Sequence, residues 1–330
     1  MSTPGNYDGG AAGPGAQPAL VTPSFLRDWP LPAAGEDKYS RGSVLVVGGA
    51  RATPGAALLA GTAALRAGAG KLTLAVAESA AVQVGVALPE CGSIGLPENS
   101  GGSVLASGLE RITTYLDRAD AILVGPGLDD LDLAEELLGA LLAREAAARA
   151  DAAREDADGD AGREGGPAVV LDAYALGALV RLESKLDPWR GRLILTPNPN
   201  EAALLLGRDA GDLHADGLEA AVSEVAARYD AVVSCQGVIA QPPAHGPGEP
   251  DLWKITTGYG GLGTSGSGDV LAGAVAGLRA RGTTGPQAAC WGTHMHAAAA
   301  DRLASRMGPL GFLARELADE LPALMLELGS

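Results

Sequence analysis

Short apolar runs alternating with helix-forming stretches constrain this chain more than any other feature. Ser43-Val-Leu-Val-Val47 ends at Gly48-Gly49, Lys71-Leu-Thr-Leu-Ala-Val76 follows, and Ala121-Ile-Leu-Val124 ends in Gly125-Pro-Gly127. Ala168-Val-Val-Leu171, Leu193-Ile-Leu195 and Ala231-Val-Val-Ser234 continue the series. A strand with one wet face would alternate polar and apolar residues, so runs this short and apolar read as strands buried on both faces. Between and after them, helices are predicted at Pro54 to Ala67, Leu131 to Ala148, Gly268 to Arg281, Pro286 to Arg306 and Phe312 to Leu328. The pattern predicts an α/β chain: a three-layer sandwich with a mostly parallel central sheet and helices on both faces. In such sheets ligands sit beyond the carboxyl ends of the strands. That rule gathers Gly48-Gly49, Gly125-Pro126-Gly127, Asp172, Asn198-Pro-Asn200 and the segment ending at Asp269 on one side.

Composition limits what such a sheet can bind and where it works. Hydrophobic residues make up 47% of the 330 positions but aromatics only 4%, so the core must be built from Ala, Val and Leu packed closely. A net charge of −16 with no basic stripe argues against a nucleic-acid surface. It also means that an anionic ligand must be held by local amides, a metal or a few cations, against the field of the whole protein. Cys91, Cys235 and Cys290 are odd in number and far apart, which suits a reducing cytoplasm. No basic segment leads into an apolar run at the start, and no run of eighteen apolar residues occurs, so neither a signal peptide nor a membrane span is expected. Residues 1–23 are rich in Gly, Pro and Ala and read as a disordered tail before a single domain over 24–330. Arg149 to Gly166, acidic and rich in Ala and Gly, reads as a helix extension fraying into a flexible insertion.

The most specific chemistry lies in Gly258-Tyr-Gly-Gly-Leu-Gly-Thr-Ser-Gly-Ser-Gly-Asp269, followed by the small, apolar Val270-Leu-Ala-Gly-Ala-Val-Ala-Gly-Leu278. Six of those twelve residues are glycine, so the backbone can approach an anion without interference from Cβ atoms. The helix start that follows adds about half a positive charge. Asp269 stands where loop becomes helix, a place suited to a carboxylate that draws a proton from an attacking hydroxyl. The competing reading is a glycine-rich turn with Asp269 as a helix cap.

Other candidates carry less. Asp172 directly follows a buried strand and serves either a catalytic site or the cap of the next helix. In Thr196-Pro-Asn-Pro-Asn-Glu201, Asn200 or Thr196 is expected to cap the next helix. Glu201 either complements that helix's dipole or helps hold Mg²⁺ through water. His294 and His296 lie two apart on a helix, a poor metal pair, and read as packing or interface residues. His214 and His245 stand in loops without partners. There is no P-loop, no full dinucleotide fingerprint and no Ser-His-Asp triad.

Taken in order, these motifs resemble the NAD(P)H-hydrate dehydratase family of the ribokinase-like superfold. The resemblance covers roughly Lys38 to Leu328. It rests on Gly48-Gly-Ala50 with Pro54-Gly-Ala56, Ala64-Leu-Arg-Ala-Gly-Ala-Gly-Lys71, Leu88-Pro-Glu90, Val124-Gly-Pro-Gly127, Leu171-Asp-Ala173, Thr196-Pro197 with Glu201, and Gly266-Ser-Gly-Asp-Val-Leu-Ala-Gly273. It implies a lyase that returns hydrated NADH or NADPH (NADHX, NADPHX) to the intact cofactor, using ADP or ATP and Mg²⁺. On that resemblance Asp269 would be the base, and Gly266, Ser267 and Gly268 the anion hole. Ala56, Gly127 and Asn198 would line the hydrate site with Asp269. Gln236, Gly237, Val238, Ile239, Ala240 and Gly268 would contact the adenine nucleotide. Family members are commonly oligomeric, and the Ala-rich helix around Ala288 to Ala300 and the C-terminal helix would offer flat, close-packing surfaces to a second copy. Asn198 stands where the family has histidine, and Gln236 where it has lysine. Asn can hydrogen-bond but not titrate, and losing the lysine removes a phosphate partner. Two other readings stay open: a ribokinase-like kinase acting on a small hydroxymethyl heterocycle, and a non-catalytic nucleotide-binding relative.

Overall fold

The computed structural model describes residues 18–33, 35, 37–155, 166–209, 217–242, 251–258 and 260–329. The strands are β1 (Ala19–Leu20), β2 (Ser43–Val47), β3 (Lys71–Ala77), β4 (Gly92–Leu96), β5 (Ala121–Val124), β6 (Ala168–Leu171), β7 (Leu193–Leu195), β8 (Ala231–Cys235), β9 (Val238–Gln241) and β10 (Asp251–Lys254). They form one sheet in the order β1-β10-β9-β8-β7-β6-β5-β2-β3-β4. From β8 across to β4 every pairing is parallel. Only β9 runs against its neighbours, pairing antiparallel with β8 and β10. After β2 the chain lays strands to one side, as β3 and β4, and then to the other, as β5 to β8. The switch in direction opens a crevice between the carboxyl ends of β2 and β5, the place where such sheets bind ligands.

Eleven helices are present among the described residues: α1 (Pro23–Asp28), α2 (Pro54–Arg66), α3 (Glu78–Ala87), α4 (Thr113–Leu116), α5 (Leu131–Glu155), α6 (Tyr174–Arg181), α7 (Pro199–Leu206), α8 (Leu218–Tyr229), α9 (Ser267–Ala280), α10 (Gly285–Met307) and α11 (Ala314–Leu328). Alternate residues of each strand feed opposite faces, because successive strand side chains point to opposite sides. Val44, Val46, Leu72, Leu74, Leu123, Val170 and Ile194 pack under α2, α9, α10 and α11. Leu45, Val47, Ile122, Val124, Val169 and Leu171 pack under α5, α6 and α8. On the first face the helices touch main chain to main chain. A Cβ on Gly273 of α9 would lie 2.0 Å from the Ala60 carbonyl oxygen of α2, and one on Gly277 would lie 2.4 Å from that of Ala64.

Two expectations change, and a third is met as far as the described residues reach. The expected tail reached Pro23, yet Ala19–Leu20 pair in parallel with β10, and Thr22 caps α1 by accepting the Phe25 N–H at 3.2 Å. Order begins earlier because backbone pairing, which composition does not register, ties this segment down; residues 1–17 lie outside the described residues. The alanines of α10 are not an outer face: Ala288, Ala289, Ala299 and Ala300 are fully buried in the core beneath α9 and α11, as a helix apolar around most of its girth must be. The expected extension of α5 runs as far as Glu155, and the fraying expected beyond it falls on 156–165, which with His214 and His245 lie outside the described residues. No described helix is long and apolar enough to cross a membrane.

Candidate active site

The crevice has a wall of backbone. Beyond β2 and β5 the Gly49 N–H donates to the Pro126 carbonyl at 2.8 Å and the Ala50 N–H to Gly127 at 2.7 Å. Thr53 ties in the start of α2, its Oγ1 donating to the Gly127 carbonyl at 2.8 Å. A Cβ on Gly48 would fall 2.1 Å from the Pro126 oxygen, and one on Gly127 2.4 Å from the Thr53 oxygen, so no side chain fits between these loops. Ala56 lies half-buried in the first turn of α2 beside this wall.

Asp172, just after β6, has two other carboxylates as neighbours, Glu201 in the first turn of α7 and Asp269 in the first turn of α9. Asp172, 6% exposed, accepts a hydrogen bond from Thr196 Oγ1 at 3.0 Å. It does not cap α6, whose cap position belongs to Ala173 without a side-chain bond. Burial pushes the Asp172 carboxyl up to about 7, helped by the neighbouring charges of Glu201 and Asp269. Neither Thr196 nor Asn200 caps α7. Thr196 has turned its hydroxyl to Asp172, and Asn198 caps instead. The Glu201 N–H donates to Asn198 Oδ1 at 3.0 Å and the Asn198 N–H to Glu201 Oε2 at 2.8 Å, a reciprocal capping box. Glu201 is therefore partly committed to structure. Burial raises its carboxyl and the Asn198 amide pulls it back down.

Asp269 is the third residue of α9, and the cap position is Gly266, so the cap reading of Asp269 does not hold. Its carboxylate is half-buried with no hydrogen-bond partner among the described residues, and burial pushes it up to about 6. A Cβ on Gly266, whose φ is +88°, would lie 2.5 Å from Leu59 Cδ1 and 3.7 Å from the Asp269 carboxylate. Of the three residues expected to form an anion hole, Ser267 is already committed. Its N–H donates to Thr264 at 3.1 Å and its hydroxyl to Leu262 at 2.7 Å. The amides of Gly266 and Gly268 have no acceptor among the described residues, as the first turn of an uncapped helix leaves them.

The expected nucleotide residues divide. Gln236 is exposed at the tight turn between β8 and β9, with Gly237 half-buried behind it and φ values of +45° and +81°. The Ile255 N–H donates to the Gly237 carbonyl at 2.8 Å, which sets this turn beside the segment leading to α9. Val238, Ile239 and Ala240 are buried in β9, so their side chains belong to the core. His294 and His296 are buried on α10, and burial pushes His296 down to about 4, so it is neutral at physiological pH. Asp301, which no sequence pattern singles out, accepts the Gly258 N–H at 2.8 Å across 43 positions of chain.

Comparison with known proteins shows what the chain is similar to. The family model described as NAD(P)H-hydrate dehydratase matches residues 44–323. A Xanthomonas campestris protein named ADP-dependent (S)-NAD(P)H-hydrate dehydratase is 39% identical over 311 residues, covering 94% of this chain and 97% of the relative. A bifunctional NAD(P)H-hydrate repair enzyme of Moorella thermoacetica is 35% identical, but the match takes in 94% of this chain and only 54% of that longer protein. The crystal structure of the Bacillus subtilis ADP/ATP-dependent NAD(P)H-hydrate dehydratase, co-crystallised with ATP and Mg²⁺, aligns with a TM-score of 0.71 at 25% identity, covering 94% of this chain and 98% of that one.

Proposed function

The chain belongs to the NAD(P)H-hydrate dehydratase family, a ribokinase-like α/β fold, and from that premise we propose that it dehydrates NADHX and NADPHX to NADH and NADPH with ADP or ATP as co-substrate. The observation that carries the mechanism is Asp269: an unpartnered carboxylate among the described residues, in the first turn of a glycine-led helix whose first amides are open. With the carboxyl raised to about 6, Asp269 is ionised at neutral pH yet basic enough to accept a proton. In this reading it takes the proton from the ring hydroxyl as that oxygen attacks the terminal phosphoryl group of the nucleotide, whose bond to the bridging oxygen breaks so that AMP or ADP leaves with the electron pair. The amides of Gly266 and Gly268, with the dipole of α9, stabilise the charge on the transferred group. The new C–O–P linkage then breaks at carbon. Phosphate leaves with the electron pair, a proton leaves the adjacent ring carbon, and the dihydronicotinamide is restored.

The backbone wall at Gly127 and Ala56, with Asn198 at the rim, holds the hydrate. The turn at Gln236 and Gly237 holds the nucleotide. Among the described residues no three carboxylate, thiol or imidazole groups stand together as a metal site, so in this reading a hydrated Mg²⁺ is carried in on nucleotide phosphates and met through water by Glu201. When bound there, Mg²⁺ offsets phosphate charge, a service of particular value in a chain of net charge −16. The three free thiols suit a cytoplasmic setting. A homo-oligomer completes the reading: Val82 and Val86 stand 75% and 78% exposed on α3, beside the edge strand β4.

The test uses purified protein, NADHX, Mg²⁺ and ADP or ATP, and follows the return of dihydronicotinamide absorbance. Recovery that requires nucleotide and is lost in Asp269→Asn is expected. Folded protein that restores nothing with either nucleotide overturns the reading, and a monomeric mass by light scattering ends the oligomer.

A further inference from the structure

The segment from Gly258 to Ser267 carries the amides and leads to the carboxylate of the proposed chemistry, yet it has few side chains with which to hold itself in place. Its supports come from elsewhere. At its start the Gly258 N–H donates to Asp301 Oδ2 at 2.8 Å, and a Cβ on Gly258, whose φ is +90°, would lie 2.9 Å from Ala297 Cβ. Asp301 belongs to α10, which is packed against α9 and α11 and tied to the segment after α1, where Trp291 Nε1 donates to the Trp29 carbonyl at 2.9 Å. A rigid helix thus grips the start of the loop from behind.

We propose that Asp301 is a positioning residue: by holding Gly258 it sets where the open amides and Asp269 meet the transferred phosphoryl group. This rests on the dehydratase reading above for its effect on rate, though not for the anchoring itself. Asp301 acts through the loop, where small displacements of reacting groups carry large penalties in rate. An Asn at position 301 keeps an oxygen that can accept from Gly258; an Ala keeps none.

The test compares Asp301→Ala with Asp301→Asn by amide hydrogen exchange over residues 258–268 and by steady-state kinetics with NADHX, ADP and Mg²⁺. In Asp301→Ala, exchange across the loop is expected to quicken by about tenfold or more. Its kcat per folded molecule falls by about 30-fold while both KM values stay within about threefold. Asp301→Asn returns both readouts to within about threefold of the parent. Loop exchange unchanged in Asp301→Ala, or an Asp301→Asn enzyme as impaired as the alanine variant, overturns the proposal. If Asp301→Ala does not fold, Asp301→Leu against Asp301→Asn makes the same comparison. Hydrogen exchange needs no turnover, so a parent protein inactive on NADHX would defeat the dehydratase reading while the anchoring was still judged.

Discussion

The two helical layers cover the same sheet in opposite ways. Under α5, α6 and α8 the contact is made by branched side chains, among them Leu137, Leu138, Leu176, Leu179, Val222 and Val225. On the other face α2 and α9 come together until Gly273 rests on the Ala60 carbonyl and Gly277 on that of Ala64. A leucine layer can absorb a small change by shifting rotamers, whereas backbone in contact with backbone admits only one separation. Asp269 rides on α9, in the layer with least freedom. A reacting carboxylate has to be held to about half an ångström, and small residues achieve this by fixing the distance between helices directly.

The comparison can be broken in several places. The largest effect is expected in Asp269→Asn, with kcat down by about 10²- to 10⁴-fold and the fold intact by circular dichroism, as befits loss of a general base. With Asp269 intact, the rate should fall on the acid side with an apparent pKa of about 6, because protonation removes the base. A flat profile down to pH 5 would exclude it from that role. Next comes Gly273→Ala. Helix propensity alone favours alanine by about 1 kcal/mol, but here its methyl meets a carbonyl, and a net loss of about 1–3 kcal/mol is expected in urea melts, with reduced turnover. A more stable Gly273→Ala protein would show that the tight layer has slack.

A third prediction concerns pH and stability. The Asp172 carboxyl titrates near 7 in the folded protein against a reference of 3.8, so folding favours its protonated form. That contribution is complete below pH 3.8 and is lost as pH rises through 7. Asp172→Asn, which still accepts from Thr196, is therefore expected to melt about 5 °C above the parent at pH 8 and level with it at pH 4. An equal gain at both values would mean that burial of the charge is not the cause. The smallest effect belongs to Gly139→Ala in α5, where the added methyl meets only Leu182 Cδ2 at 3.9 Å. It should gain about 0.5–1 kcal/mol. The same substitution would thus carry opposite signs in the two layers.

Much of this architecture was legible because six strands announce themselves as apolar runs ending in glycine or a polar residue. The edges were not. β4 is Gly92-Ser-Ile-Gly-Leu96, with two glycines and no run, and β1 is only two residues long, so both owe their strand conformation to a neighbour that pairs with them. At the site, the glycine spacing before Asp269 located α9 to within a residue. The capping box at Asn198 and Glu201 was written in their spacing but was masked by two prolines and a second asparagine. That Ser267 spends both its donors within the loop depends on how the turn closes, which spacing does not record. Asp301 is one acid among 40 Asp and Glu residues, and only the fold brings it to Gly258.

The main-chain wall at the mouth of the crevice also bears on how such a protein can change over time. Between Gly48 and Gly127 there is no side chain to exchange, so drift there meets a collision rather than a graded effect. Two of the departures from the family pattern, Asn198 and Gln236, stand exposed on the rim. Selection is left with the rim as its workable material. Ligand preference can diverge between lineages by exchanges at those exposed positions while the cleft itself is inherited whole.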